Sequence, residues 1–239
     1  MPIQTVETRR LYRQIADQIA ELIRGGEYTP GSRLPPERDL AKQLGVSRPS
    51  VREALIALEV EGYVEVRVGS GVYVTNDRAR AETAEALPAD SGPFELIRAR
   101  WLIEGECAAL AAREGTRAQH RAIEEALETM VRDHERADSG GPAVPLVADR
   151  LFHLRIAEAS GNSAFTLVVK TLWDQRTGPL FMQLENHFTT EVTWTTAIKE
   201  HRDVLNAIVK RDAKAARLAM RRHMDNAAKR FSKSFNSGK

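Results

Sequence analysis

The chain has 239 residues, of which 42% are hydrophobic and 28% charged, a balance that excludes disorder and fibrous structure. With no apolar run near the ~20 residues of a membrane-spanning helix, no apolar stretch behind Met1-Pro2-Ile3-Gln4 and Arg9-Arg10, and a single cysteine, Cys107, the expectation is a cytoplasmic protein without a signal peptide, a membrane span or an intrachain disulfide. Its 35 basic and 33 acidic residues leave a formal charge of +2, so total charge points to no partner.

Leu11 to Arg24 is predicted as an amphipathic helix with Ile15, Ile19, Leu22 and Ile23 inward, stopped by Gly25-Gly26. After a Pro30-Gly31 turn, Leu34-Pro35-Pro36-Glu37 opens a second helix, Arg38 to Leu44; prolines are tolerated in a first turn, where the missing amide would have had no helical partner. Gly45-Val46 makes a tight turn, and Ser47 caps a third helix that runs to Glu61. Two helices joined by a short glycine turn form a helix-turn-helix. Its second helix would enter the major groove N-terminus first, presenting Ser47, Arg48, Ser50 and Arg52. Arg48 and Arg52 are four apart and share a helical face, and an arginine fork on a guanine is worth ~1–3 kcal/mol of discrimination. The local charge agrees: Arg33, Arg38, Lys42, Arg48 and Arg52 face only Glu37 and Asp39, although the stripe alone reads sooner as a solvated helix face.

From Gly62 to Val74, two β-branched runs flank Gly69-Ser70-Gly71, a hairpin whose glycine tip can approach a phosphate or the minor groove. Three helices and this two-stranded wing make a winged helix-turn-helix domain over residues 1–75. Residues 76–93, closing on Pro88-Ala89-Asp90-Ser91-Gly92-Pro93, form a linker. Residues 94–239 carry 3.6-residue stripes, among them Ile123/Leu127/Met130, Phe165/Val168/Leu172 and Ile198/Leu205/Ile208, with breaks at 138–142, Gly161-Asn162 and Gly178-Pro179. They predict an all-α antiparallel bundle of about six helices. The fold class is mainly α.

Within the bundle, Asp149 and His153 are spaced i, i+4 and point from one helical face, while His201 and His223 lie on the last two helices. Three imidazoles and a carboxylate suit a divalent ion such as Zn²⁺ or Ni²⁺. Spacing alone equally allows Asp149 to pair with Arg150 or Arg155 and the histidines to be core or surface residues. Cys107 lies in an alanine-rich helix and reads as a small buried residue.

The first domain resembles the GntR family of bacterial winged helix-turn-helix regulators through Leu34-Pro35-Pro36-Glu37-Arg38, Leu44-Gly45-Val46-Ser47-Arg48, Val51-Arg52-Glu53-Ala54-Leu55, Leu58-Glu59, Gly62 and Gly69-Ser70-Gly71-Val72-Tyr73-Val74. The resemblance implies operator contacts from Arg38, Ser47, Arg48, Ser50, Arg52 and Gly69. The chain departs from the family pattern at Val68, where many relatives carry a basic or polar wing residue.

The helical half is similar to the FCD-type effector domain of the FadR subgroup through Arg100 and Glu104, Asp149-Arg150-Leu151-Phe152-His153, Ala159-Ser160-Gly161-Asn162, Glu200-His201 and Ala216 to His223. That similarity implies a metal held by Asp149, His153, His201 and His223, with Arg100 as an anion clamp; the alternative for Arg100 is a salt bridge to Glu104 or Glu106. A narrower likeness, in Gly92-Pro93-Phe94-Glu95-Leu96, Ala99-Arg100, Phe152 to Ala159, and Trp173 with Arg176 and Pro179, is to the bacterial hexuronate-utilisation repressors. It implies a carboxylate effector, a hexuronate, whose carboxylate and hydroxyls make Asn162, Trp173 and Arg176 further candidate contacts. The leading reading is a homodimeric repressor whose two heads read a palindromic operator. The alternative is a metal-dependent enzyme acting on a sugar acid, with Glu158 or Glu200 as general base.

Overall fold

The computed structural model describes residues 10–67, 69–75, 91–137, 146–178, 181–182, 185 and 191–232. Most of the expected linker and Val68 lie outside these residues. The chain packs as two compact units, one reaching to Phe94 and the other built from Glu95–Thr177 and Phe188–Arg230. The first also takes in Phe181 and Phe231, whose rings meet edge to face with centroids 5.9 Å apart, although both fall within the range expected for the bundle.

The first unit begins with α1 (Leu11–Arg24), α2 (Glu37–Leu44) and α3 (Arg48–Val60). Tyr12, Ile15, Ala16, Ile19 and Ala20 repeat every three or four residues and are buried, so α1 packs on α3 through one stripe. Leu22, expected inside, sits at the edge of that arc and is 39% exposed. From α3, Val51, Ala54, Leu55 and Leu58 complete the core. Gly45 ends α2 with φ +66°, a left-handed conformation that a side chain would strain, and this turn sends the chain into α3.

Strands β1 (Val64–Arg67) and β2 (Gly71–Val74) pair antiparallel with Val64 opposite Val74. Val64, Val66, Val72 and Val74 face the core. Residues 31–34 add a third extended segment that the sequence did not suggest. Leu34 N donates to Val72 O at 2.8 Å and Val74 N to Ser32 O at 2.9 Å.

The second unit holds six long helices among the described residues. These are α4 (Pro93–Glu114), which begins in the first unit, α5 (Arg117–Ala137), α6 (Leu146–Ala159), α7 (Ser163–Asp174), α8 (Glu191–Val209) and α9 (Ala213–Ser232). A 3₁₀ turn, Gln175–Thr177, follows α7. Helix α5 packs on α6 and α8, and α6 on α7. The inner face of α4 is Cys107, Ala108, Ala111 and Ala112, small side chains that let neighbouring backbones approach. Ile123, Met130, Phe152, Ile156, Val169, Ile208, Met220 and Met224 are likewise at most 1% exposed, so a polar group buried among them must find a protein partner.

Candidate nucleic-acid interface and metal centre

Helix α3 starts where the sequence placed it. Ser47 is the N-cap; its Oγ accepts from Ser50 N at 3.3 Å and lies 2.8 Å from Ser50 Oγ. Arg38 is open, with a side chain 81% exposed and Asp39 beside it. Arg48 is half open at 47%, its Nε donating to Glu37 Oε1 at 2.7 Å. Arg52 differs from the expectation. It is 4% exposed, with Nε donating to Glu37 Oε2 and Nη2 to Glu37 Oε1, both at 2.8 Å, and its guanidinium lies 5.3 Å from the centroid of the Phe94 ring. One buried carboxylate on α2 thus gathers two arginines of α3. Gly69 lies exposed at the wing with φ +74°.

Two wing features carry no signal in the sequence. Arg67 lies 4.4 Å from the Tyr73 ring centroid. At Gly71 (φ +127°) a Cβ would stand 2.6 Å from Arg33 Nε, so glycine makes room for that guanidinium.

In the second unit the four expected metal ligands converge. His153 Nε2 lies 3.2 Å from His201 Nε2, and Asp149 Oδ1 lies 3.2 Å from His201 Nε2 and 3.5 Å from His153 Nε2. The donor atoms of His153, His201 and His223 all fall within 4.8 Å of one another, and all four residues are buried. Ligands ~2.05 Å from a tetrahedral ion stand ~3.3 Å apart, so the 3.2 to 3.5 Å separations among Asp149, His153 and His201 suit the edges of such a site. Asp149 Oδ1 is buried and makes no hydrogen bond among the described residues, which leaves it available to a cation. Asp149 pairs with neither Arg150 nor Arg155; its Oδ2 accepts from Arg176 Nη1 at 3.1 Å.

Carboxylates behind the rings orient them. Glu104 Oε2 holds His153 Nδ1, and Glu200 Oε2 accepts from His223 Nδ1 at 2.8 Å. Each contact turns Nε2 toward the cluster. Burial by itself would raise the Glu104 carboxyl, but Arg100 and His153 bring it down to about 2. Glu200 likewise falls to about 2, burial being outweighed by His223, Arg230 and Asn226. Burial works against the Asp149 carboxylate too, yet His153 and His201 hold it well below the usual range. Burial and the neighbouring His201 push His223 down to about 3, and burial lowers His201, so both rings are neutral donors near pH 7. For His153, burial is outweighed by Glu104 and Asp149, which raise it.

Beside the cluster lies a cationic wall. Arg100 Nε donates to Glu104 Oε1 at 2.6 Å, while its Nη2 is buried with no partner among the described residues. The guanidinium carbons of Arg100 and Arg176 stand 4.1 and 4.2 Å from the Trp173 ring centroid, and Trp173 Nε1 is a second unused buried donor. Asn162 is elsewhere engaged: it is exposed, and its Oδ1 accepts from Ala164 N at 3.0 Å as the N-cap of α7. The two candidate general bases are also occupied. Glu158 is at the surface with Arg155, and Glu200 accepts from His223, Asn226 and Arg230.

Residues 11–74 match the model of bacterial regulatory proteins, gntR family, and residues 95–226 match that of the FCD domain. The chain is 39% identical to the Uxu operon transcriptional regulator of Escherichia coli (strain K12), over 93% of this chain and 87% of that protein. It is equally 39% identical to the Exu regulon transcriptional regulator of the same strain, over 94% and 85%. Among solved structures, E. coli McbR/YncC superposes with a TM-score of 0.50 at 24% identity, covering 95% of this chain and 99% of that one, a likeness of fold.

Proposed function

The chain belongs to the gntR family of bacterial regulatory proteins, with an FCD domain behind its DNA-binding head, and on that premise we propose that it is a cytoplasmic repressor of hexuronate catabolism genes whose operator binding a hexuronate modulates. Arg38, Arg48, Ser47, Ser50 and the Gly69 tip contact the operator. Arg52 acts from behind, fixing Glu37 and with it the pose of α3. Two copies of the chain pair so that two heads engage a palindrome.

The single observation that carries the sensor reading is the convergence of Asp149, His153 and His201 donor atoms at tetrahedral spacing, close to Arg100 and Trp173, which keep unused buried donors. Asp149, His153, His201 and His223 hold a divalent ion, with zinc favoured by the nitrogen-rich set. Such an ion would supply fixed positive charge, and by expanding beyond its four protein ligands it could take a carboxylate. Arg100, with Trp173 and Arg176, receives the rest of the anion, and a planar guanidinium suits a carboxylate. The regulons in the names of the two Escherichia coli relatives support a sugar acid as effector. The enzyme alternative loses ground because Glu158 and Glu200 are both engaged elsewhere.

The test is a fluorescence-anisotropy titration of zinc-loaded protein on DNA from upstream of its own and neighbouring genes, at one fixed salt concentration, with a panel of hexuronates. A shift in operator affinity with one uronate is expected. Tight, specific binding indifferent to every uronate would discard the hexuronate reading and leave the regulator.

A further inference from the structure

Of the three imidazoles in the cluster, only His153 has an orienting partner that also grips an arginine of the anion wall. Glu104 stands on α4, one turn beyond Arg100, and is 1% exposed. Its two oxygens are divided between two partners: Oε1 accepts from Arg100 Nε, and Oε2 holds His153 Nδ1. The other orienting carboxylate, Glu200, shares itself with Asn226 and Arg230 instead, and His201 Nδ1 has no partner among the described residues.

We propose that Glu104 is a positioning residue that couples the metal ligand His153 to the anion clamp Arg100, so that metal and carboxylate effector bind cooperatively through one buried side chain. The inference rests on the metal and effector reading above. By taking the Nδ1 side of His153, Glu104 keeps Nε2 aimed at Asp149 and His201, the tautomer a metal requires. By holding Arg100 through Nε, it fixes the plane of the guanidinium while leaving Nη2 without a protein partner. A donor that is buried, unpaired and fixed in direction costs little to organise when an anion arrives. An anion that draws on Arg100 also alters what Glu104 offers His153, and linkage requires the reverse effect to be equal.

The experiment uses full-length protein. Zinc affinity is measured by competition with a chromophoric chelator, and D-glucuronate and D-galacturonate affinities by calorimetry with and without saturating zinc, in wild type, Glu104→Gln, Arg100→Lys and the double variant. The glutamine is nearly isosteric, but its single amide oxygen can serve only one of the two partners. Glu104→Gln is expected to lower zinc affinity about 10- to 100-fold, and to lower uronate affinity at saturating zinc about fivefold or more. In the Arg100→Lys background it adds no more than about twofold to the uronate loss, because the donor it positions is already altered, while the zinc loss persists. Zinc binding by wild type with unchanged zinc or uronate affinity in Glu104→Gln overturns the coupling alone, as does a fully additive uronate loss in the double variant. Wild type that takes up no zinc overturns the metal reading together with the inference. If Glu104→Gln fails to fold, Glu104→Asp keeps the charge, withdraws it from both partners, and is held to the same outcomes.

Discussion

Arg48 and Arg52 are one helical turn apart with the same charge, yet tertiary packing divides their work. Arg48 keeps half its side chain in solvent, whereas Arg52 is locked bidentate on Glu37 in the interior. Arg48→Ala is therefore expected to abolish sequence-specific DNA binding and, because Arg52 still holds the buried Glu37, to change unfolding free energy by only about 0.5–1.5 kcal/mol. Arg52→Ala leaves the buried Glu37 with Arg48 alone and, by removing two charge-assisted hydrogen bonds, should cost about 1.5–3 kcal/mol. Urea denaturation of the two variants, set beside operator titrations, checks both; a stable Arg52→Ala that loses only DNA affinity would restore Arg52 as a direct contact. Burial pushes the Cys107 thiol up to about 12, with the Glu104 charge acting in the same sense. At pH 8 its thiolate is then about four orders of magnitude rarer than the thiol. A thiol reagent should leave the native protein unmodified and label it once on unfolding; rapid native labelling would contradict the packing of α4.

At the scale of elements, caps and junctions decide more than propensity. Asn162 is a candidate effector contact on the strength of a family likeness, and it is the N-cap of α7. Asn162→Ala should cost about 0.5–2 kcal/mol while uronate affinity stays at the wild-type value; a selective loss of uronate binding would return it to the site. The start of α4 is held by the recognition helix: Glu53 Oε1 accepts from Phe94 N at 2.8 Å. A Cβ at Gly92 would stand 2.5 Å from that carboxylate, so only glycine leaves it room. Gly92→Ala is expected to break this charge-assisted bond and destabilise the first unit by about 1.5–3 kcal/mol, read as a lower urea midpoint. The helix-turn-helix, the hairpin and the six bundle helices are all legible as periodicity and punctuation. The extended segment at 31–34 is not, because it is defined by its bonds to β2 rather than by a pattern of its own.

For the whole molecule, acid and metal act through the same cluster. His223, lowered to about 3, contributes stability that is complete above the ordinary histidine range near 6.5 and is lost as pH falls toward 3, because the unfolded chain takes up the proton first. His201 shifts in the same direction, and His153, which is raised, opposes them. Glu104 and Glu200, both lowered to about 2, add a second window: their contribution is present above about 4.5 and lost as pH falls toward 2. Thermal unfolding of the metal-free protein should thus show a falling midpoint from pH 7 to 5 and a further fall below 4.5. A flat profile would mean that the rings are not desolvated as described. Zinc at about 100 times its Kd should add about 2.7 kcal/mol, and that gain should vanish on chelation and diminish with acid, since the ligands must lose protons to bind.

Apolar spacing, glycine and proline punctuation and a serine cap are enough to determine a winged reader followed by a helical bundle, because helices and hairpins are written in local sequence. The i, i+4 spacing of Asp149 and His153 likewise places one pair of donors on one helical face, since helical periodicity alone requires it. Only the tertiary structure could bring His201 within 3.2 Å of His153, carry Glu104 to His153, and turn Arg52 inward onto Glu37. Partners 15 to 49 residues apart meet through packing, which leaves no periodic trace in the chain. Which oxygen of a buried carboxylate serves which cation is a matter of geometry that no single residue carries.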